Sequence, residues 1–291
     1  MPVLVRLLAR MPLRPLHACG AFLGCLGYAL APSYRRYLSD NLEGAIPGAP
    51  LRLRLATAAQ TGRGAVEALR ILLRSPEELA PSVRETVGWD DVAAARRAGR
   101  GALLISPHLG CVEIVGPFMR GLPITALYRP HKSARLQALV DKGRGRYSHL
   151  APADRSGVRA LLCGLKRGEM VLVLPDQVPA RGDGVWAPFF GRPAYTMTLA
   201  ARLTELDGVE PFMFCGERLP RGAGYRLHFL SPDPPLVGTT AERVAAINRN
   251  VEALILRHPD QYLWGYNRYK VPRGVEVATT PEGATGAQPL S

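Results

Sequence analysis

The chain has 291 residues, 47% of them apolar, with a mean hydropathy of +0.00, which allows one large or two small domains with a sizeable core and excludes a disordered polymer. Its 37 Lys and Arg against 24 Asp and Glu give a formal charge of +13 and a pI near 10.0. Only Lys132, Lys142, Lys166 and Lys270 are lysines, and the excess of arginine, which grips phosphate and carboxylate bidentately, calls for an anionic partner: nucleic acid, anionic lipid headgroups or an acidic carrier protein.

Five cysteines, Cys19, Cys25, Cys111, Cys163 and Cys215, are odd in number and lack metal-type pair spacing. They argue against a disulfide framework, fit a reducing compartment and serve readily as small buried apolar residues. Near the N-terminus, Arg6, Arg10 and Arg14 precede a window without Asp, Glu, Lys or Arg at 15–34, and Arg35-Arg36 follow it. A bilayer span needs about 20 apolar residues; this window just reaches that length and contains His17 and several glycines. Three readings compete: a membrane-embedded or interfacial anchor, a first core-packing helix, and a cleaved signal peptide. Pro32 directly after Ala29-Leu30-Ala31 speaks against the last. Gly20-Ala21-Phe22-Leu23-Gly24 matches a small-residue dimerisation pattern.

Residues 35–100 read as helical, with a good helix start at Ser75-Pro76-Glu77-Glu78. Arg52, Arg54, Arg63 and Arg70 there suit a headgroup-facing surface or an ordinary solvated face. From residue 100 strands and helices alternate: strands at 102–106, 124–128, 170–175, 185–189, 209–216 and 225–229, and helices at 113–119, 134–147, 158–167, 198–206 and 241–257. Such alternation predicts an α/β fold with a mixed, largely parallel central sheet flanked by helices and ligands at the strand ends. The expected division is a membrane-associated segment at 1–36, an α/β domain at 37–275 with a helical lead-in at 37–100, and a flexible tail at 276–291.

Polar groups recur at three of these strand ends. His108 and Glu113 follow the first strand, Tyr128-Arg129-Pro130 the second, and Asp176-Gln177 the third. If these strands are parallel neighbours, the three clusters converge. On one straight helix a five-residue step would leave His108 and Glu113 about 140° apart, so they are expected to meet across a turn, with Glu113 opening a helix. A His with a carboxylate partner is a general base. No Gly-x-Ser-x-Gly elbow is present to supply an activated serine. Arg129 and the N–H groups at the start of the helix carrying Glu113 suit an oxyanion. Other readings stay open on spacing alone: a hydrogen-bonded structural His108, a Cys111–His108 nucleophile, a metal held by His108, Glu113 and Asp176, an Asp176 that caps a turn, and a surface Arg129.

Pro107-His108-Leu109-Gly110-Cys111-Val112-Glu113 resembles the His-x4-Asp/Glu block of glycerolipid-type acyltransferases, in the Glu form of the bacterial lipid A late acyltransferases. Further blocks match in order: Arg35-Arg36-Tyr37-Leu38-Ser39-Asp40-Asn41-Leu42, Tyr128-Arg129-Pro130, Arg155-Ser156-Gly157, Leu174-Pro175-Asp176-Gln177, Pro188-Phe189-Phe190-Gly191-Arg192-Pro193-Ala194, and Gln261 through Lys270. Together they span about residues 35 to 270.

The resemblance implies an enzyme on the cytoplasmic face of the inner membrane that moves a fatty acyl chain from acyl carrier protein or acyl-CoA, as co-substrate and without a further cofactor or metal, to a hydroxyl of a lipid A precursor. It makes His108 the base and Glu113 its partner, with Arg129, Asp176 and Gln177 completing the site and Arg192 supporting the pocket or a phosphate. The acyl chain is expected in a groove lined by Val112, Val115, Phe118 and Phe189. The remaining readings are an acyltransferase for another acceptor, such as a phosphatidylinositol mannoside or an amino-lipid, and a non-catalytic protein that binds anionic lipid. A nucleic-acid binder accounts for the charge but not for the strand-end cluster.

Overall fold

The computed structural model describes residues 9–130 and 133–277. The helical lead-in contains Leu13–Leu30 (α1), Pro32–Ala45 (α2), Leu51–Leu73 (α3) and the short Pro76–Leu79 (α4). Proline opens α2 and α4 at a position where its missing N–H costs nothing, and Ser75 with Glu78 closes a full capping box.

Helix α1 lies on α3 through glycines. A Cβ at Gly24 would stand 2.0 Å from the Ala58 carbonyl oxygen, and one at Gly62 would stand 2.0 Å from that of Gly20. The small-residue pattern at Gly20 and Gly24 therefore serves contact within the chain. This contact buries Leu16, His17, Gly20 and Tyr28 of α1 and leaves Phe22, Leu23, Leu26 and Leu30 exposed. Helices α1 and α2 meet at a 98° bend, and among the described residues no single helix is long and apolar enough to cross a membrane. Helix α2 runs through position 36 and places Leu38 and Leu42 in the main core. Residues 1–8 and 278–291, in the expected first segment and tail, lie outside the described residues.

A seven-stranded sheet follows, built from Val83–Val87 (β1), Gly101–Ile105 (β2), Ile124–Tyr128 (β3), His149–Pro152 (β4), Met170–Val173 (β5), Val209–Arg218 (β8) and Tyr225–Leu230 (β9). Its order is β1-β9-β8-β2-β5-β3-β4, and only the β8–β9 pair is antiparallel. Gly184–Phe189 (β6) and Arg192–Met197 (β7) form a separate hairpin. The interposed helices are Trp89–Arg97 (α5), Val115–Phe118 (α6), Ala134–Arg144 (α7), Arg155–Lys166 (α8), Leu199–Leu203 (α9) and Thr240–Arg257 (α10).

Strands β2 and β5 are continuous apolar runs because both of their faces are covered. Leu103, Ile105, Val171 and Val173 enter one core layer with Leu161 and Leu165 of α8 and Val251 of α10. Ala102, Leu104, Met170 and Leu172 enter the other with Val92, Val115 and Phe229. The predicted α/β sheet is thus present. Three strands escape the sequence reading: β1 and β4 are edge strands without an apolar run, and β7 carries a proline in the small hairpin. The helix expected at 113–119 is a 3₁₀ turn, Val112–Ile114, followed by the four residues of α6.

Candidate active site

The site forms where β2, β5 and β3 end together, since these strands are parallel neighbours. Past Ile105, the Ser106 N–H still donates to the Val173 carbonyl (3.0 Å), and Pro107 then ends the ladder. Gly110 turns the chain with φ 64°, and a Cβ there would stand 2.0 Å from the Gly216 carbonyl oxygen, so the loop requires glycine. Three bonds pin this loop to its neighbours: Gly110 N–H to Gln261 O (3.0 Å), Cys111 N–H to Gly216 O (2.7 Å), and Leu263 N–H to His108 O (3.1 Å).

Asp176, directly past β5, is buried and holds His108 twice. Its Oδ2 accepts the His108 backbone N–H at 2.9 Å, and its Oδ1 lies 2.7 Å from His108 Nδ1. An ionised carboxylate only accepts, so Nδ1 carries the proton and Nε2 the lone pair. The Gln177 amide donates to that lone pair at 3.2 Å. His108 remains 31% exposed on its open side. Tyr262 is buried close to Asp176, and the charge of Arg268 also lies close by.

Burial alone would depress the pKa of His108, but the Asp176 charge and hydrogen bond, with the Glu113 charge beyond them, raise it above the ordinary histidine value. Burial also opposes ionisation of Asp176. The His108 charge, the bonds from its ring and amide, and Arg268 nonetheless hold Asp176 below the usual range.

The carboxylate that orients His108 is therefore Asp176, where the sequence reading names Glu113. Glu113 sits in the 3₁₀ turn and is gripped in a fork by Arg144, whose Nε donates at 2.8 Å and whose Nη2 donates to the other oxygen. The turn replaces the expected helix start and aims Glu113 at α7, leaving it to act on His108 through charge. With Glu113 occupied by Arg144 and both Asp176 oxygens occupied by His108, these three residues do not form a metal cluster.

The loop amides of Gly110 and Cys111 are engaged, and in the turn that carries Glu113 the Ile114 N–H donates to the Cys111 carbonyl at 3.3 Å. Cys111 is buried, and burial pushes its thiol well up, against the nucleophile reading. Arg129 is exposed just past β3. Arg192 opens β7 and stacks its guanidinium 3.7 Å over the Tyr269 ring, bracing the hairpin.

The expected acyl groove divides between two layers. Val112, Val115 and Phe118 pack on one core, Phe189 on the other. A cavity of about 710 Å³ opens at the start of β3, lined by Pro123, Thr125, Tyr147, Cys163 and Glu169, away from His108.

Tyr262 and Arg268 are site residues that the sequence reading quoted within a motif without giving them roles. The same block explains the early motif in α2. Asn41 Nδ2 donates to the Trp264 and Tyr266 carbonyls (2.7 and 2.8 Å), while the Tyr266 hydroxyl accepts the Val178 N–H two residues past Asp176 (3.0 Å).

The family profile described as bacterial lipid A biosynthesis acyltransferase matches residues 2–271. The chain belongs to this family. Its relatives include the lipid A biosynthesis palmitoleoyltransferase of Escherichia coli K12, 33% identical over 187 residues, or 63% of this chain and 60% of the relative. The lipid A biosynthesis lauroyltransferase of the same strain is 33% identical over 198 residues, 66% of this chain and 63% of the relative. A lipid A biosynthesis acyltransferase of Haemophilus influenzae is 24% identical over 196 residues, 67% and 61%. The chain spans under two thirds of the length of each of these relatives. Family membership gives the ordered blocks around His108, Asp176-Gln177 and Gln261–Tyr262 a common context, and the fold joins them at one site.

Proposed function

We propose that the protein is an O-acyltransferase that moves a fatty acyl chain from a thioester, carried by acyl carrier protein or CoA, to a hydroxyl of a lipid A precursor. The observation that carries this reading is the His108–Asp176 pair at the common end of β2 and β5, with Nδ1 protonated and Nε2 presented to the open side. The names of the family and of the relatives supply the lipid acceptor.

In this mechanism the acceptor hydroxyl replaces the Gln177 amide at Nε2 and gives up its proton as its oxygen attacks the thioester carbonyl. The C–O bond forms, the tetrahedral oxyanion is met by a cation such as Arg129, and collapse breaks the C–S bond. The thiolate leaves or takes the proton from the imidazolium; with a thiol pKa near ~8.5, no strong acid is needed. Asp176 stabilises the imidazolium, and the Glu113 charge adds negative potential behind it, offset in part by Arg144. The chain needs no resident cofactor for this step.

The same reading places the protein on the cytoplasmic face of the inner membrane. Phe22, Leu23, Leu26 and Leu30 of α1 continue into exposed Leu51 and Leu55 of α3, and exposed Arg14, Arg35, Arg36 and Arg52 are available to headgroup phosphates. A bent, half-buried helix pair fits an interfacial anchor better than a span.

Transfer assayed with an acyl-thioester donor and a lipid A precursor is the test. His108→Ala is expected to lower the rate by about 10²–10⁴-fold. Near-wild-type transfer by a folded His108→Ala protein would overturn the proposal.

A further inference from the structure

A second cluster of chemistry-bearing side chains lies outside the His108 site and plays no part in the proposed reaction. Glu217 near the end of β8 and His228 on β9 share one face of the antiparallel pair, because Cys215 is opposite His228 and Glu217 is two residues on. His258 caps the C-terminus of α10 and brings its ring to the same place. The His228 Nε2 is 2.9 Å from Glu217 Oε2, His258 Nε2 is 4.0 Å from the same oxygen, and one ligand atom from each residue lies within 4.8 Å of the others. The two imidazole rings are 5.6 Å apart, and the side chains are only 14%, 12% and 20% exposed for His228, Glu217 and His258.

We infer that Glu217, His228 and His258 form a binding site for a first-row divalent cation of the zinc type. Two imidazoles and one carboxylate are a borderline donor set that suits zinc, cobalt(II) and their neighbours and leaves one position for water. At metal–ligand distances of about 2.0–2.1 Å, tetrahedral donors stand roughly 3.3 Å apart, between the two Glu217 separations observed.

The competing cation is Arg226, whose Nη1 lies 3.2 Å from Glu217 Oε2. Its Nε remains anchored to Glu85 at 2.7 Å when that contact opens.

The three ligands come from β8, β9 and the end of α10. The bound ion would tie them together immediately ahead of the segment that holds the catalytic loop: Gln261 accepts from Gly110 and brackets the Arg218 backbone through its side chain (2.8 and 3.1 Å), and Leu263 donates to His108. The role inferred is structural, a cross-link that steadies this segment from outside the reacting centre.

Cobalt(II) titration of the full chain, purified in detergent without a polyhistidine tag, tests the site. One equivalent should produce the visible d–d bands of a four- or five-coordinate ion, and zinc should bleach them. The unfolding midpoint should rise by roughly 5 °C or more at a hundredfold excess over the dissociation constant. His228→Ala, His258→Asn and Glu217→Gln should each abolish the bands, with folding checked by circular dichroism. His108→Ala should keep them. Absence of bands in the wild-type protein, or their survival in the folded His228→Ala and His258→Asn variants, would overturn the inference and leave a hydrogen-bonded cluster only.

Discussion

At the scale of single residues, the proposed chemistry depends on which carboxylate faces His108 Nδ1. Asp176 does so at 2.7 Å and also binds the backbone amide of His108, fixing ring and main chain at once. Since the base must be neutral, activity should rise with pH through the raised His108 value, with an acid limb inflecting above the ordinary ~6.5. Asp176→Asn removes the charge that stabilises the imidazolium. The acid limb should then move to lower pH while the rate at its plateau falls by at least about 100-fold, read from rate profiles between pH 5 and 9. An unchanged inflection would show that Asp176 does not set the proton affinity of His108. The sequence made both His108 and Asp176 visible as strand-end polar residues, but it paired His108 with Glu113 because those two are close along the chain. Asp176 lies 68 residues away and is brought in only by the β2–β5 pairing.

Among elements, α3 connects the N-terminal helices to the loop at Gly110 through a buried charge cluster. Glu67 lies at its centre. It contacts His17 Nε2 of α1 at 2.6 Å, accepts from Arg218 Nε of β8 at 2.6 Å, and accepts from the Tyr225 hydroxyl of β9 at 2.9 Å. Arg218 Nη2 in turn donates to the Gly110 carbonyl at 2.8 Å. Burial opposes the Glu67 charge, and Arg218 with His17 more than compensates, holding its carboxyl below the usual range. The stability it contributes is therefore present above the ordinary carboxylate pKa and lost as pH falls through the folded value. Glu67→Ala leaves the Arg218 guanidinium buried without its counterion. Unfolding by denaturant at neutral pH should show a loss of about 3–5 kcal/mol. A change under 1 kcal/mol would mean that the cluster relaxes to water. Nothing in the local pattern of α3 marks Glu67 as buried, since its partners come from three other elements.

Over the whole molecule, the charge excess and the open apolar face combine into one surface hypothesis. Phe22 is 68% exposed and Leu30 71% exposed on a helix whose other side is packed against α3. Each large apolar side chain buried in the headgroup region is worth about 1.5–3 kcal/mol. The double variant Phe22→Asp/Leu26→Asp should weaken binding to anionic vesicles by at least about tenfold, and added salt should weaken the wild type further, measured by co-sedimentation. Equal sedimentation of variant and wild type would remove α1 as the docking face. These positions lie away from the α1–α3 glycine contact, so the packed helix pair should persist in the variant.

The amino-acid sequence by itself determined the α/β class, the apolar central strands, expected at 102–106 and 170–175 and formed at 101–105 and 170–173, the long helices α3 and α10, and the list of polar residues at strand ends. These follow from local periodicity, capping and breaker residues, each encoded within a few positions of where it acts. Tertiary structure alone decided that Asp176 rather than Glu113 grips His108, and that Val112 and Phe189 fall in different core layers. It also turned the Gly20 and Gly24 pattern inward onto α3 and gathered Glu217, His228 and His258 around one point. Strand order and helix docking set these relations by joining residues far apart in the chain, and no local spacing carries that information.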